Sequence, residues 1–235
     1  MQSTSATGRE LVHDWRVPDR EYQRHQERRG RRWAYPDLDP YRTALVVVDM
    51  VPFHTDANPY ARGIVPRIQY LATCVRSAGG TVAWVLPAPD PHRAAAEEFH
   101  GADVAARYAG SGGTGPLELR LSRGLTMMPG DLLTEKTAHS AFFPGRCPLP
   151  DLLDERGVTT VVITGTTTDV CCESSARDAF TLGYRVIVAA DATATGDDRA
   201  HNASLRIVYH SFGDVRDTAD LAMMLTTPGA PAADR

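Results

Sequence analysis

The chain has 235 residues, 43% of them apolar and 23% charged, with a formal net charge of −4. That length and balance fit one globular domain with a substantial core, and they exclude a chain that is disordered throughout. Four cysteines in this length are too sparse for a disulfide scaffold, and the acidic balance excludes a dedicated nucleic-acid binder. No apolar run approaches the ~20 residues a membrane span needs. The N-terminus, MQSTSATGRELVHDW, has no apolar core for a secretory signal. A cytoplasmic, reducing location with free thiols is the simplest expectation. The basic residues are 24 arginines and a single lysine, Lys136. This composition points to a GC-rich bacterial genome. It also singles out one position where a compact, titratable amine is retained and guanidinium is not used.

Residues 1–40 are polar and rich in Arg, Glu, Tyr and Pro, and a helix is expected near 18–29. The segment lacks a strong apolar stripe. It reads as an N-terminal arm able to contact a neighbouring protomer, and its cluster Arg28, Arg29, Arg31 and Arg32 as a solvated or interface feature. ALVVVD (44–49) is a continuous apolar run, as in a strand buried on both faces. Ile64, Ile68, Leu71 and Val75 recur at helical spacing over 61–78, with Pro66 placed near the helix start and Gly79–Gly80 as the stop. A second strand follows at 81–88, then a helix at 95–108 and a flexible loop at 109–116. A short strand near 130–135 precedes Lys136, and a short helix spans 148–156. VTTVVITG (158–165) is a strand, CCESSARDAFTLG (171–183) a helix and YRVIVAAD (184–191) a strand. Helices at 200–211 and 217–225 flank an extended piece at Val215, and the tail 227–235 should fray. Strands alternating with helices, several of them continuous apolar runs, predict a doubly wound, mostly parallel six-stranded α/β sheet with helices on both faces. In such a sheet the chemistry belongs beyond the carboxyl ends of the strands.

Three reactive side chains fall at such ends. Asp49 closes the first strand, Lys136 follows the third, and Cys171 and Cys172 follow the turn after the fourth. A carboxylate at the end of an apolar run needs a partner or hydrogen bonds. A cysteine in the first turn of a helix meets free N–H groups and the positive end of the dipole, which favour the thiolate.

The segments ALVVVDM, EKTAHSAF and ITGTTTDVCCESSARDAFTLGYRV together resemble the isochorismatase-like cysteine hydrolase superfamily, over roughly residues 42–222. The resemblance implies a hydrolase domain at 41–226 and an Asp49–Lys136–Cys171 triad. It implies a non-prolyl cis peptide joining Thr166 and Thr167, and an oxyanion hole from the backbone N–H groups of Thr167 and Cys171. The nucleophile follows Asp169-Val170, which selects Cys171 and leaves Cys172 as a buried thiol. Phe53, His54, His139 and Phe142 lie close in sequence to triad residues and are candidate pocket walls. Glu173 is expected to support its helix end.

The activity so implied is cleavage of a C–N bond in a small amide, ureido or carbamoyl compound or lactam, through a thioester. Alternatives are a vinyl-ether hydrolase of isochorismatase type, which Cys171 disfavours, a redox protein using the Cys171–Cys172 pair, and an inactive binding scaffold. Nicotinamidases in this superfamily bind a metal through an Asp-x-His pair. Here Asp90 and His92 have that spacing and His100 follows, but no clear remaining ligand does, so neither a metal nor another cofactor is expected. The expected partners are a small-molecule substrate and further copies of the chain, as a homodimer or homotetramer, with no nucleic acid and no membrane.

Overall fold

The computed structural model describes residues 10–89 and 93–226. Six strands form one sheet: β1 (Thr43–Val48), β2 (Thr81–Pro87), β3 (Leu132–Lys136), β4 (Thr160–Thr166), β5 (Arg185–Ala194) and β6 (Asp214–Arg216). Every pairing is parallel and the order is β3-β2-β1-β4-β5-β6. The chain lays down β1 to β3 outward in one direction, then returns to the other side of β1 for β4 to β6. The reversal puts a crevice at the carboxyl ends of β1 and β4, the topological switch point at which such sheets bind ligands.

The apolar runs are continuous because both sheet faces are covered. Alternate residues divide between two cores. Val46, Val48, Val85, Val161, Ile163 and Val188 pack with Ala176, Leu205 and Val208, on the side of α7 (Glu173–Thr181) and α8 (Asp198–Ser211). Leu45, Val47, Val82, Trp84, Val162 and Ile187 pack with Ile64, Ile68, Leu71 and Leu221, on the side of α3 (Pro59–Ser77) and α9 (Thr218–Thr226). Each fully buried branched side chain contributes about 1.5–3 kcal/mol relative to exposure.

Several details differ from the sequence expectation. A short helix, α2 (Pro52–Ala57), follows Asp49, where the sequence pattern had suggested no element. Helix α3 begins at Pro59, so Pro66 lies in its interior. The expected helix at 95–108 is two, α4 (Arg93–His100) and α5 (Ala102–Ala109), broken at Gly101, whose φ is +82°. The glycine-rich loop after α5 is pinned, since a Cβ on Gly112 would lie 1.9 Å from the Pro87 carbonyl oxygen. The short helix of 148–156 is α6 (Leu149–Asp154).

From Glu10 onward the arm lies against the body. Its helix α1 (Asp19–Arg29) lies on α8, where buried Glu21 pairs with Arg206 (3.0 Å) and His210 (2.8 Å). Trp15, Tyr22 and Trp33 pack against the α7/α8 core, and Asp214 accepts the N–H groups of Ala34 (2.8 Å) and Tyr35 (2.9 Å). Residues 10–40 therefore pack within the chain. The tail at 227–235 lies outside the described residues.

One buried carboxylate fixes the β3 edge. Asp131 accepts from Arg76 Nη2 (2.6 Å) and Nε (3.0 Å) on α3, Trp84 Nε1 (2.8 Å) on β2 and its own turn at Met128 N (3.0 Å). Burial alone would raise its pKa, but the Arg76, Trp84 and Met128 hydrogen bonds outweigh burial and hold it below the ordinary value. A depressed carboxyl stabilises the fold above its unfolded pKa and loses that contribution as pH falls through the folded value. Asp131→Asn should lower unfolding free energy by about 1.5–3 kcal/mol at neutral pH in urea melts, and the gap to the parent protein should narrow below about pH 4.

Candidate active site

Asp49 is the first residue beyond β1, and its backbone is held from both sides. Its N–H donates to the Val85 carbonyl at the end of β2 (2.9 Å), and its carbonyl accepts the Thr166 hydroxyl at the end of β4 (2.9 Å). This turn places Asp49 at φ +53°, a left-handed conformation that a non-glycine residue rarely adopts. β4 can approach β1 here because Gly165 has no side chain; a Cβ would meet the Val48 carbonyl oxygen at 2.0 Å. The β4–β5 register shifts between Ile163 and Gly165, as irregularities beside reactive centres often do.

Lys136 is the last residue of β3, not the residue after it. β2 lies between β3 and β1, and adjacent strands are about 4.8 Å apart, so only a long side chain can reach Asp49 from there. The ammonium lies 2.8 Å from Asp49 Oδ2, 3.0 Å from the Ala138 carbonyl oxygen and 3.6 Å from Cys171 Sγ. Its three N–H donors have three acceptors around a single point, which a planar guanidinium fork cannot match. The Lys136 and Asp49 side chains are each only 3% exposed. Burial alone would depress the lysine, but Asp49 and then Cys171 outweigh it and raise its pKa above the ordinary value, so it stays a cation.

Beyond β4 the peptide bond between Thr166 and Thr167 is cis. Thr168–Cys172 then wind as one π-helical turn into α7, with the Thr167 carbonyl accepting the N–H groups of Val170 (3.2 Å) and Cys172 (3.0 Å). Cys171 thus lies in this turn, ahead of the first turn of α7. Burial, followed by the Asp49 charge, pushes its thiol up to about 12 against the opposing pull of Lys136. The resting group is a thiol, where the sequence suggested a thiolate at a helix N-terminus, because Cys171 precedes the first turn of α7 and burial with the Asp49 charge outweighs the pull of Lys136. Asp49 Oδ1 is buried with no hydrogen-bond partner, and the carboxyl lies close enough to Cys171 for its charge to raise the thiol's pKa. Cys172 is turned away, with its thiol toward the Thr164 carbonyl (3.8 Å) and its pKa raised by complete burial. The neighbouring thiols thus point to different surroundings, and both are free.

The pocket-wall candidates separate. His54 lies close enough to the triad for its charges to act on it; burial chiefly lowers its pKa, Asp49 raises it and Lys136 lowers it, so it is neutral near pH 7. Phe53 meets His54 edge to face (5.1 Å between centroids) and Tyr108 of α5 (6.2 Å), which in turn meets His100 of α4 (5.4 Å). The aromatic rim formed with Tyr108 was not foreseen, since no periodicity ties α5 to α2. His139 is exposed in the bend after Lys136. Phe142 is fully buried in the core against Tyr184 and presents no surface to a ligand, which corrects its assignment as a pocket wall. Glu173 pairs with Arg177 one turn along α7 (2.6 Å). Asp90 and His92 lie outside the described residues, among which no cluster of three metal-binding side chains occurs. Among the described residues, no helix is long and apolar enough to cross a membrane.

An acid, an ammonium and a thiol thus converge at the switch point of a doubly wound sheet. The isochorismatase domain model matches residues 43–220, and the chain belongs to that family of hydrolases. It is 33% identical over 219 residues to the ureidoacrylate amidohydrolase RutB of Methylobacterium radiotolerans, covering 83% of this chain and 84% of that protein. Among solved structures it resembles a cysteine hydrolase from Pseudomonas syringae (TM-score 0.70, 25% identity, 82% of this chain and 96% of that one). It also resembles an N-carbamoylsarcosine amidase from Thermoplasma acidophilum (TM-score 0.62, 28% identity, 75% and 96%).

Lys136→Met leaves Asp49 buried without its cation and should destabilise the protein by about 3–5 kcal/mol in urea melts near neutral pH. A lysine whose pKa is raised contributes fully below its unfolded value and loses the contribution as pH rises through the folded value. The gap between the parent and Lys136→Met should therefore hold from about pH 6 to 9 and shrink only above the ordinary lysine value of 10.5.

Proposed function

We propose that the protein is a cysteine amidohydrolase that cleaves a C–N bond of a small carbamoyl or ureido compound, with simple amides and lactams as the wider class. The observation that carries this is the single Lys136 ammonium, 2.8 Å from the Asp49 carboxylate and 3.6 Å from the Cys171 sulfur. The names of the ureidoacrylate and N-carbamoylsarcosine relatives support the carbamoyl preference.

With the thiol at about 12, sulfur carries its proton at rest, so deprotonation must accompany attack. Asp49 Oδ1 takes the thiol proton as Cys171 Sγ forms its bond to the carbonyl carbon. The carbonyl oxygen gains negative charge, which the Thr167 and Cys171 backbone N–H groups hold. The C–N bond then breaks, and Asp49 returns the proton to the departing nitrogen, leaving a thioester. Asp49 next removes a proton from water, whose oxygen attacks the thioester carbon. The C–S bond breaks and the thiol recovers the proton. Lys136 stays an ammonium throughout and offsets charge that passes from carboxylate to sulfur and back. Four free thiols suit a reducing, cytoplasmic setting.

Ammonia release from carbamoyl and ureido acids and simple amides, with lactams read by mass, tests this. Cys171→Ala and Asp49→Asn should each lower kcat by about 10³-fold or more. A Cys171 adduct should appear by mass when turnover of the parent enzyme is quenched. Retention of more than a few per cent of activity by Cys171→Ala would refute the nucleophile.

A further inference from the structure

The arm reaches the nucleophile turn through one buried side chain. His13 is 1% exposed and lies flat between two rings, Tyr60 of α3 (3.9 Å between centroids, 3° between planes) and His201 of α8 (4.1 Å, 11°). Its Nε2 accepts the Thr195 N–H (3.2 Å) just beyond β5, which puts the ring proton on Nδ1, toward Asp198 Oδ1 (2.6 Å). The arm backbone is seated in the same place: Leu11 N–H donates to the Pro59 carbonyl (3.1 Å). A Cβ on Gly63 would lie 1.8 Å from the Leu11 carbonyl oxygen, so the helix surface is cut away where the arm crosses it.

From His13 two paths lead to consecutive residues of the turn that carries Cys171. Along the first, the His13 ring lies on His201, whose Nδ1 meets the Thr168 hydroxyl (2.9 Å) in the interior. Burial chiefly, with the nearby His13, lowers the His201 pKa to about 3, so this ring stays neutral. Ser204 of the same helix donates to the Thr168 carbonyl (3.0 Å). Along the second path, Thr195, whose N–H is held by His13, donates its hydroxyl to Asp169 Oδ1 (2.6 Å). The Thr195 carbonyl accepts Asn58 Nδ2 (2.9 Å) from the segment after Asp49. The same contacts thus tie the turn to α8, to the end of β5 and to the start of α3.

We propose that His13 is a positioning residue for the nucleophile turn: through its stack on His201 and its bond to Thr195 it fixes Thr168 and Asp169, and with them the aim of Cys171 and its backbone N–H. The inference rests on the amidohydrolase reading for its effect on rate, while the coupling of arm to turn is measurable without substrate. Misplacing a reacting group by a fraction of an ångström lowers rate while substrate binding is little changed.

The test compares the full-length parent with His13→Ala, His13→Gln and Thr168→Val by amide hydrogen exchange and steady-state kinetics. Gln offers an acceptor near the Nε2 position, and Val removes only the hydroxyl that faces His201. In His13→Ala, exchange in the peptide covering 167–173 should rise about tenfold while the β2 peptide is unchanged, and kcat should fall about tenfold at a KM within about twofold. His13→Gln should recover part of both, and Thr168→Val should reproduce part of both. Unchanged exchange in the turn overturns the proposal, as does exchange that rises equally in β2, or an unchanged kcat with a loosened turn. Should His13→Ala fail to fold, His13→Gln combined with Thr168→Val decides: effects on turn exchange smaller than the product of the single effects support a shared path, and independent effects overturn it. A parent enzyme that turns over no C–N substrate would defeat the amidohydrolase reading, with the exchange result standing separately.

Discussion

The site depends on where one ammonium can be held out of water. Lys136 is the sole lysine in the chain, and its three donors meet a carboxylate, a backbone carbonyl and a sulfur. None of the three groups is stable there alone. The carboxylate needs a cation, the cation needs acceptors in a dry interior, and burial raises the thiol's pKa so that it keeps its proton. The fold satisfies all three needs at one point, and much of the surrounding architecture fixes that point.

The sheet order explains how. Reversal between β3 and β4 brings the ends of β1 and β4 together, so Asp49 and the cysteine-bearing turn are neighbours although more than a hundred residues separate them. Gly165 removes the side chain that would hold the strands apart, and Thr166 then bonds the Asp49 carbonyl. Lys136 reaches in from the edge strand across β2. That edge is held by Asp131, which ties the start of β3 to Arg76 and Trp84. A buried carboxylate at one end of β3 thereby supports the lysine at the other.

The arm completes this frame from the opposite face. Its aromatic residues extend the α7/α8 core, and Glu21 binds Arg206 and His210 of α8 onto α1. At 11–13 it threads between α3 and α8. A polar segment without a hydrophobic stripe can pack in this way because its contacts are stacked rings, capped N–H groups and buried ion pairs, none of which leaves a periodic mark.

The sequence by itself determined the class of fold and the strand ends that matter. Val-rich runs such as 44–48 and 160–163 fit strands covered on both faces, and their alternation with helical periods points to a parallel sheet. The isolation of Lys136 among arginines and the Thr-rich turn before Cys171 were equally visible, because they are properties of composition and local order. Tertiary structure decided what depends on depth and on distant neighbours. Phe142, six residues beyond Lys136, went into the core, while Tyr108, from a helix pair broken by Gly101, came to the rim. The Cys171 thiol became a protonated group, because burial and the Asp49 charge outweighed the pull of Lys136. His13, unremarkable in a polar arm, acquired a stacked, buried place against His201, which bonds the turn carrying Cys171. Periodicity reports which residues face inward along one element; which elements meet, and how much water they exclude, is settled only when the whole chain is packed.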